Sequence, residues 1–360
     1  MKKFGLLFLV ICLAAAMILS GCTSAGTPAS QSPAAPASQA PASSEAAAEA
    51  STQEASAAPA SEASGSNPYP GAEGKTATLV LKDLTNPVWL KARDGAMAAA
   101  KDFGINLEVV APVKSNNNDE QISLAEQAIA QNKDILIMTP ADSKGIVPAM
   151  EEVNAAGIPI INLNTKINND AGTLKIETFV VADNTICGTL CAEELVKLAG
   201  EEGEAVILEG PSGGQVTIDL SNAAQAVFAK YPNIKVVDIQ DAKFDRSTGF
   251  TTTQNLLQAH PDLKIIFSCN DEMALGAVQA LKEANKLDQV FVGGIDGNND
   301  AFAAIKEGTM EVTVYKNFYL QAYTAVEAAA KYFNGEDLPD VIKIDLAAVT
   351  KDNVDDFIGK

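Results

Sequence analysis

Residues 134–138 read Asp-Ile-Leu-Ile-Met, and residues 290–295 read Val-Phe-Val-Gly-Gly-Ile. Both are short apolar runs without the polar–apolar alternation of a strand that has one face in water. A strand that lacks this alternation is buried on both faces, as in a parallel sheet covered by helices on each side. These two stretches therefore predict an α/β fold.

Similar apolar runs alternate with helical patterns from residue 75 to near the end of the chain. Strand patterns occur at 76–81, 106–111, 134–138 and 158–163, and then at 204–209, 234–239, 264–267, 290–295 and 311–315. So many strand–helix steps exceed what one hydrophobic core accommodates. We therefore predict two α/β lobes, each a doubly wound parallel sheet.

The N-terminus carries an export signal. Lys2 and Lys3 precede an apolar run that ends in Leu-Ser-Gly-Cys at residues 19–22. A basic start, an apolar segment and small residues before a cleavage point make a secretory signal. We predict a lipoprotein signal peptide at 1–21 and a lipidated Cys22, whose acyl chains would anchor the protein. An ordinary signal peptide with an incidental cysteine is the alternative.

Residues 22–74 differ sharply in composition from the rest of the chain. After Cys22 they are mainly Ala, Ser, Pro, Glu and Gln, with almost no large apolar side chains. Such a segment cannot bury enough apolar surface to order itself. We predict a disordered tether over 22–74, with the packed domain beginning at residue 75.

Charge and cysteine content exclude several classes of protein. The formal net charge is −20, from 26 basic and 46 acidic residues, and no basic cluster occurs after the signal, so we expect no nucleic-acid partner. Cys187, Cys191 and Cys269 match no metal-binding spacing and are interpreted as small core residues. No catalytic triad or nucleophile motif occurs. We expect no metal, no cofactor and no enzymatic activity.

Polar and aromatic residues follow the predicted strands. In open α/β sheets, ligands bind beyond the carboxyl ends of the strands. The residues found there are Asn86, Trp89, Asn164, Phe244, Asn270, Asp296 and Lys316. Amides, carboxylates and rings suit a polyhydroxylated ligand. Helix capping would also account for Asn86 and Asn270, and core packing for the two aromatic residues.

Several motifs occur in the order found in one known family. They are Leu84–Trp89, Gly157–Asn164, Ala182–Asn184, Phe244–Arg246, Gln254–Leu257 with His260-Pro261, Asn270–Gly276 and Gly294–Gly297. On these motifs, residues 75–350 resemble the ribose/allose branch of the periplasmic sugar-binding proteins of ABC importers.

The resemblance implies a type I periplasmic binding protein fold, in which two similar lobes are joined by a three-strand hinge and close on a ligand. It implies an N-terminal lobe of 75–182 plus 317–345. The C-terminal lobe would consist of 183–316 plus 346–360, with crossings near Ala182, Lys316 and Leu346.

The ligand-binding residues that the resemblance implies come from both lobes and the hinge. They are Lys82, Asn86, Trp89, Asn164, Phe244, Asn270, Asp296 and Lys316. Three positions depart from the family pattern: Leu220 stands for Arg, Asn164 for Asp and Lys316 for Gln. We hypothesise that Lys316 bonds a ligand oxygen that the missing Arg would otherwise serve.

The function implied is that of an extracytoplasmic solute-binding lipoprotein, at the outer face of the cytoplasmic membrane or in the periplasm. It would capture a monosaccharide or polyol and deliver it to ABC permease subunits. We expect a monomer whose contact with the membrane is through the lipid anchor only. Two alternatives share the fold: a sensory module for a kinase or chemoreceptor, and a binder of a nucleoside-like ligand.

Overall fold

The computed structural model describes residues 67–359. The predicted signal peptide, Cys22 and most of the predicted tether lie outside the described residues. The strands are β1 Thr76–Val80, β2 Asn106–Val110, β3 Ile135–Met138, β4 Ile160–Leu163, β5 Ile176–Val181, β6 Glu202–Glu209, β7 Asn233–Asp241, β8 Leu263–Ser268, β9 Phe291–Asp296, β10 Val312–Tyr315, β11 Val341–Lys343 and β12 Ala347–Thr350. The helices are α1 Pro87–Phe103, α2 Asn118–Ala130, α3 Val147–Ala155, α4 Asn184–Ala199, α5 Gln215–Phe228, α6 Arg246–Ala259, α7 Asp271–Glu283, α8 Asn299–Glu307 and α9 Phe318–Phe333.

The strands form two six-stranded sheets with matching topology. The first has the order β11-β5-β4-β3-β1-β2, and the second has the order β12-β10-β9-β8-β6-β7. Neighbouring strands are parallel except for β10 and β12, which pair antiparallel. The apolar run at 135–138 forms the completely buried strand β3, which lies between β1 and β4. The predicted α/β fold with two parallel-sheet lobes is confirmed.

Each lobe has its own hydrophobic core. In the first lobe, apolar side chains of α1 and α9 cover one face of the sheet, and those of α2 and α3 cover the other. A single larger cluster fills the second lobe. Helices α1 and α9 approach so closely that a Cβ atom at Gly95 would overlap the carbonyl group of Tyr319. Since α9 follows a strand of the second sheet, this packing ties the two halves of the chain together.

The chain passes between the sheets three times. It crosses from β5 to α4, from β10 to α9, and from β11 to β12. The crossings are bonded at their ends: Lys343 Nζ lies 3.2 Å from the Asp183 carboxylate, and Lys316 Nζ donates to Asn184 Oδ1 at 2.9 Å. These contacts connect the three segments about which the lobes can move.

The packed domain begins earlier than composition indicates. Tyr69 lies edge-on to Phe103, with ring centroids 5.2 Å apart, and its hydroxyl donates to Glu327 at 2.9 Å. Pro70–Ala72 forms a 3-10 turn, and the side chain of Ala72 is buried. The predicted tether boundary at residue 74 is therefore too late, because Tyr69 anchors this segment to α1 and α9.

Within residues 67–359, no helix combines the length and the hydropathy that a membrane span needs.

Candidate ligand-binding cleft

A cavity of about 670 Å³ lies between the carboxyl ends of the two sheets. Its volume falls in the range of roughly 300–1,000 Å³ that is typical of small-molecule sites. The structure brings all eight predicted ligand-binding residues to its walls: Lys82, Asn86, Trp89, Asn164, Phe244, Asn270, Asp296 and Lys316. The convergence follows from topology, because the residues after each parallel strand emerge at the same edge of the sheet.

Aromatic rings form the wall that α1 and α9 supply. Trp89 lies in the first turn of α1 and packs edge-to-face against Phe318, with ring centroids 5.2 Å apart. The Lys82 ammonium lies 5.9 Å from the Trp89 centroid. Sequence reasoning missed Phe318, although its place two residues after a crossing was a usable signal.

Asn86 acts as the N-cap of α1. Its side-chain oxygen accepts a hydrogen bond from Val88 N at 3.2 Å, and Pro87 occupies the first helical position. The carboxylate of Asp83 holds the preceding turn by accepting from Asn86 N at 2.7 Å. Capping uses the oxygen of Asn86 and leaves its amide NH₂ group for other partners.

Asn164 belongs to a hydrogen-bond chain that reaches the second crossing. Its amide group donates to Gln321 Oε1 at 3.0 Å, and Gln321 Nε2 in turn donates to the carbonyl oxygen of Lys316 at 2.6 Å. Asn164 is buried and has a positive φ of 61°. An aspartate carboxylate at this position could not donate to Gln321, so the asparagine fits the partner that α9 supplies.

Phe244 and Asn270 form the wall of the second lobe. Phe244 packs against Gly210, where the Cβ of any other residue would overlap the ring. Asn270 caps α7 by accepting from Met273 N at 3.0 Å, and its amide group lies 3.4 Å from the carbonyl oxygen of Phe244. Both residues are therefore held by local structure at the cavity surface.

Asp296 ends β9 and is buried, with 9% of its surface exposed. Its position depends on Asp271, whose carboxylate accepts from Gly297 N and Asn298 N at 2.8 Å each and from Thr313 Oγ1 at 2.6 Å. Burial raises the pKa of Asp296 to about 7 and raises that of Asp271 well above its usual range. A carboxyl group at the cavity wall can accept bonds from two neighbouring hydroxyl groups.

Two buried lysines face the same cavity. Only 5% of Lys82 and 1% of Lys316 is exposed. Burial, and then the positive charge of Lys316, lowers the pKa of Lys82 to about 7, against attraction from Asp296 and Asp83. Lys316 lies at the second crossing, with its ammonium 5.5 Å from the centroid of Phe318.

Leu220 and Arg246 have roles that sequence reasoning did not place correctly. Leu220 is completely buried in the core of the second lobe, and the α5 residue that reaches the cavity is Val216. The interpretation of Leu220 as a lost cation of the ligand wall is therefore wrong. Arg246 begins α6, lines the cavity and pairs with Glu272 at 2.9 Å and Asp300 at 2.8 Å.

Two parallel-sheet lobes, three crossings and a cavity between facing strand ends define a bilobal binding protein. Residues 77–337 match the family model described as periplasmic binding protein domain, and the chain belongs to this family. The predicted resemblance and the type I fold are confirmed.

The chain is similar to several proteins of this family whose ligands are named. The chain is 33% identical over 276 residues to the ribose import binding protein of Bacillus subtilis, covering 77% of this chain and 87% of the relative. An ABC transporter solute-binding protein from Actinobacillus succinogenes with bound D-allose has a TM-score of 0.75 and 34% identity, covering 79% of this chain and 100% of that one. A solute-binding protein from Bacillus halodurans with bound myo-inositol has a TM-score of 0.74 and 31% identity, covering 80% of this chain and 98% of that one.

Membership of this family places the chain among the extracytoplasmic substrate-binding components of ABC importers, which are not a class of enzymes. The architecture provides a hinged pair of lobes and not a fixed pocket.

The lobes also touch directly through two turns. Ser143, in the turn after β3, donates from its backbone N–H to the Gly213 carbonyl oxygen at 3.2 Å, and its hydroxyl accepts from Gln215 N at 3.1 Å. Gly213 has a φ of 98°, and an added Cβ would lie 3.1 Å from the Asp142 carboxylate. The glycine-rich segment at 210–214 thus permits a close contact between the lobes.

Replacement of Ser143 by alanine will weaken this contact without changing the cavity wall. Loss of one hydrogen bond is worth about 0.5–1.5 kcal/mol. Because apparent affinity scales with the closed fraction, we expect the dissociation constant to rise about two- to tenfold. Calorimetry will measure the affinity, and small-angle scattering will show a more open ligand-free protein.

Ser123→Ala, on the exposed face of α2, is the control. Equal affinities for both variants and the wild type would refute the link between the Ser143 contact and ligand affinity.

The lowered pKa of Lys82 predicts that Lys82→Met will raise the thermal stability of the protein by an amount that depends on pH. The buried Lys82 ammonium destabilises the fold most at and below pH 7, where the side chain is charged in both the folded and the unfolded protein. This destabilisation declines as the pH rises from about 7 towards 10.5, the ordinary pKa of lysine. We expect the variant to melt about 2–4 °C higher than the wild type at pH 6, with a smaller difference at pH 9. Lys230→Met, at an exposed position, is the control; a difference independent of pH would show that Lys82 is not buried as a cation.

Proposed function

We propose that this protein captures a monosaccharide or polyol in the cleft between its lobes and delivers it to the permease of an ABC importer. The observation that carries the proposal is the convergence of a ring wall, a buried carboxyl group and the amide side chains of Asn86, Asn164 and Asn270 on one cavity of about 670 Å³. Rings cover the C–H faces of a sugar, while the carboxyl and amide groups bond its hydroxyls. The relatives named for ribose, D-allose and myo-inositol support this ligand class.

Capture works by differential binding to the closed state. A ligand that bonds Asn86 in the first lobe and Asp296 in the second makes both contacts only when the lobes are together. Its extra free energy of binding in that state shifts the population towards closure. The permease would then recognise the surfaces that the closed lobes present together.

A thermal unfolding panel tests the ligand class. The protein, freed of bound ligand by unfolding and refolding, is measured with pentoses, hexoses, polyols, inositols and nucleosides. A ligand at about 1,000 times its dissociation constant stabilises the native state by roughly 4 kcal/mol. We expect one such shift among the sugars or polyols, and its loss in Trp89→Ala, because the ring wall is removed.

Tyr332→Ala serves as the matched control for this panel. Tyr332 contacts the first-lobe core outside the cavity, so this variant should melt at a lower temperature yet keep the full ligand shift. A response to nucleosides alone, or to no compound in the panel, contradicts the proposal.

The proposed location includes a lipid anchor at Cys22. The basic start, apolar run and Leu-Ser-Gly-Cys ending at residues 19–22 support it, and two acyl chains hold a protein stably at a membrane. The residues after Cys22 then separate the packed domain from the bilayer.

Replacement of Cys22 by serine removes the acylated thiol. We expect the wild type in the membrane fraction and Cys22→Ser in the soluble exported fraction, with unchanged ligand affinity. Mass spectrometry of the N-terminal peptide will show acyl groups in the wild type only. A wild-type protein that is soluble and unacylated contradicts the anchor.

A further inference from the structure

Two buried lysines face the cavity without a carboxylate in contact with either ammonium group. Lysine is almost never fully buried unless it is paired, yet 5% of Lys82 and 1% of Lys316 is exposed. Both line the cavity, over the adjoining rings of Trp89 and Phe318. The ring faces attract the cations weakly compared with a carboxylate.

Neither lysine has an anionic partner within 4 Å in the described part of the chain. The Lys316 ammonium donates to the neutral amide oxygen of Asn184 at 2.9 Å. For Lys82, residues 67–359 supply neither a hydrogen bond nor an ion pair to the ammonium. Instead, the positive charge of Lys316 acts on Lys82 more strongly than the attraction of Asp296 or Asp83.

The other carboxylates that line the cavity accept hydrogen bonds from neighbouring groups, as Asp241 and Asp245 do from the backbone N–H groups of Lys243 and Thr248. One oxygen of Asp83 accepts from the backbone N–H groups of Thr85 and Asn86 at 2.9 and 2.7 Å, and the other accepts from Ser115 Oγ at 2.9 Å. Arg246 is matched by Glu272, 2.9 Å away. Asp296 is then the buried carboxyl group of the cavity whose side chain has no hydrogen bond within residues 67–359, and it forms no ion pair with either ammonium group.

We propose that the ligand is a polyhydroxylated carboxylic acid, a sugar acid, whose carboxylate binds Lys82 and Lys316 while its hydroxyls bind Asp296 and Asn270. The inference rests on the proposed function and narrows its ligand class. A neutral hydroxyl could accept a hydrogen bond from either ammonium but would bring no negative charge into contact with it. A carboxylate supplies both the acceptors and a negative charge in direct contact with the ammonium groups.

The position of the lysines explains how one ligand reaches both groups. Lys82 follows β1 in the first lobe, and Lys316 follows β10 at the second crossing. Both lie on the side of the cavity bounded by Trp89 and Phe318, whereas Asn270 belongs to the second-lobe wall. A sugar acid therefore places its charged end at the hinge and its hydroxyls towards the second lobe, which favours closure.

Matched acid and neutral pairs test the proposal by calorimetry on the full-length protein at pH 7. The pairs are D-galacturonate with D-galactose, D-glucuronate with D-glucose, and D-gluconate with sorbitol; acetate tests the carboxylate alone. We expect at least one acid to bind about tenfold or more tightly than its neutral partner, as a charge-assisted bond implies. Acetate should bind too weakly to detect.

Variants at the two lysines show whether the lysine charges contribute to binding of the acid and not to binding of its neutral partner. Lys316→Gln should weaken binding of the acid by about 10- to 100-fold and change that of the neutral partner by less than about threefold. Lys82→Gln provides the same test if Lys316→Gln does not fold, since Lys82 lies outside the crossing. Lys230→Gln, at an exposed site, should bind as the wild type does.

The other possible results contradict the sugar-acid inference, the proposed function or both. Tighter binding of a neutral sugar than of its acid overturns the sugar-acid inference and leaves the proposed function intact. If neither the acids nor their neutral partners bind, the sugar-acid inference and the proposed function are both overturned for these ligands. Acetate binding as tightly as the sugar acids overturns the requirement for hydroxyl groups and, with it, the proposed ligand class.

Discussion

The structure depends on one constraint, which is that two parallel sheets face each other with the carboxyl ends of their strands while three crossings join them. The loops after the parallel strands of both sheets are therefore directed towards the same gap, and only the antiparallel strand β12 ends at the opposite edge in the described residues. The first turns of α1 and α7 reach it for the same reason, with Asn86 and Asn270 as their caps. The residues that cap these helices thus also line the cavity, so the capping role does not exclude the proposed role in ligand binding.

The cleft is assembled at an energetic cost to the fold. Burial changes the pKa of Asp296 and of Lys82 to about 7 from opposite directions, which means that neither group is well solvated in its charged form. The surrounding framework compensates through Asp271, which holds the loop after β9 by three hydrogen bonds. Under the proposed function, a ligand that pairs with these groups would recover part of that cost on closure and so couple binding to lobe movement.

The comparison of sequence with structure shows where pattern reasoning succeeds. The continuous apolar runs predicted parallel sheets correctly, since burial on both faces removes the alternation of a half-exposed strand. The position after a strand predicted seven residues that would line one cavity, the resemblance added Lys82, and all eight lie there. The same reasoning misplaced Leu220, because the register of a helix against its sheet decides whether a residue faces the core or the cleft. It also extended the tether too far, because composition did not show that Tyr69 packs against Phe103.

The sequence by itself determined the fold class, the two-lobed organisation and the strand ends where polar residues gather, because these follow from local patterns of burial. It also predicts an export signal, because such a signal is a linear motif. Only the tertiary structure decided which partner each side chain meets. Asn164 bonds Gln321, 157 positions away, and Lys316 bonds Asn184 across 132 positions. Such pairs depend on how the crossings bring distant segments together, and no local pattern in the sequence records that distance.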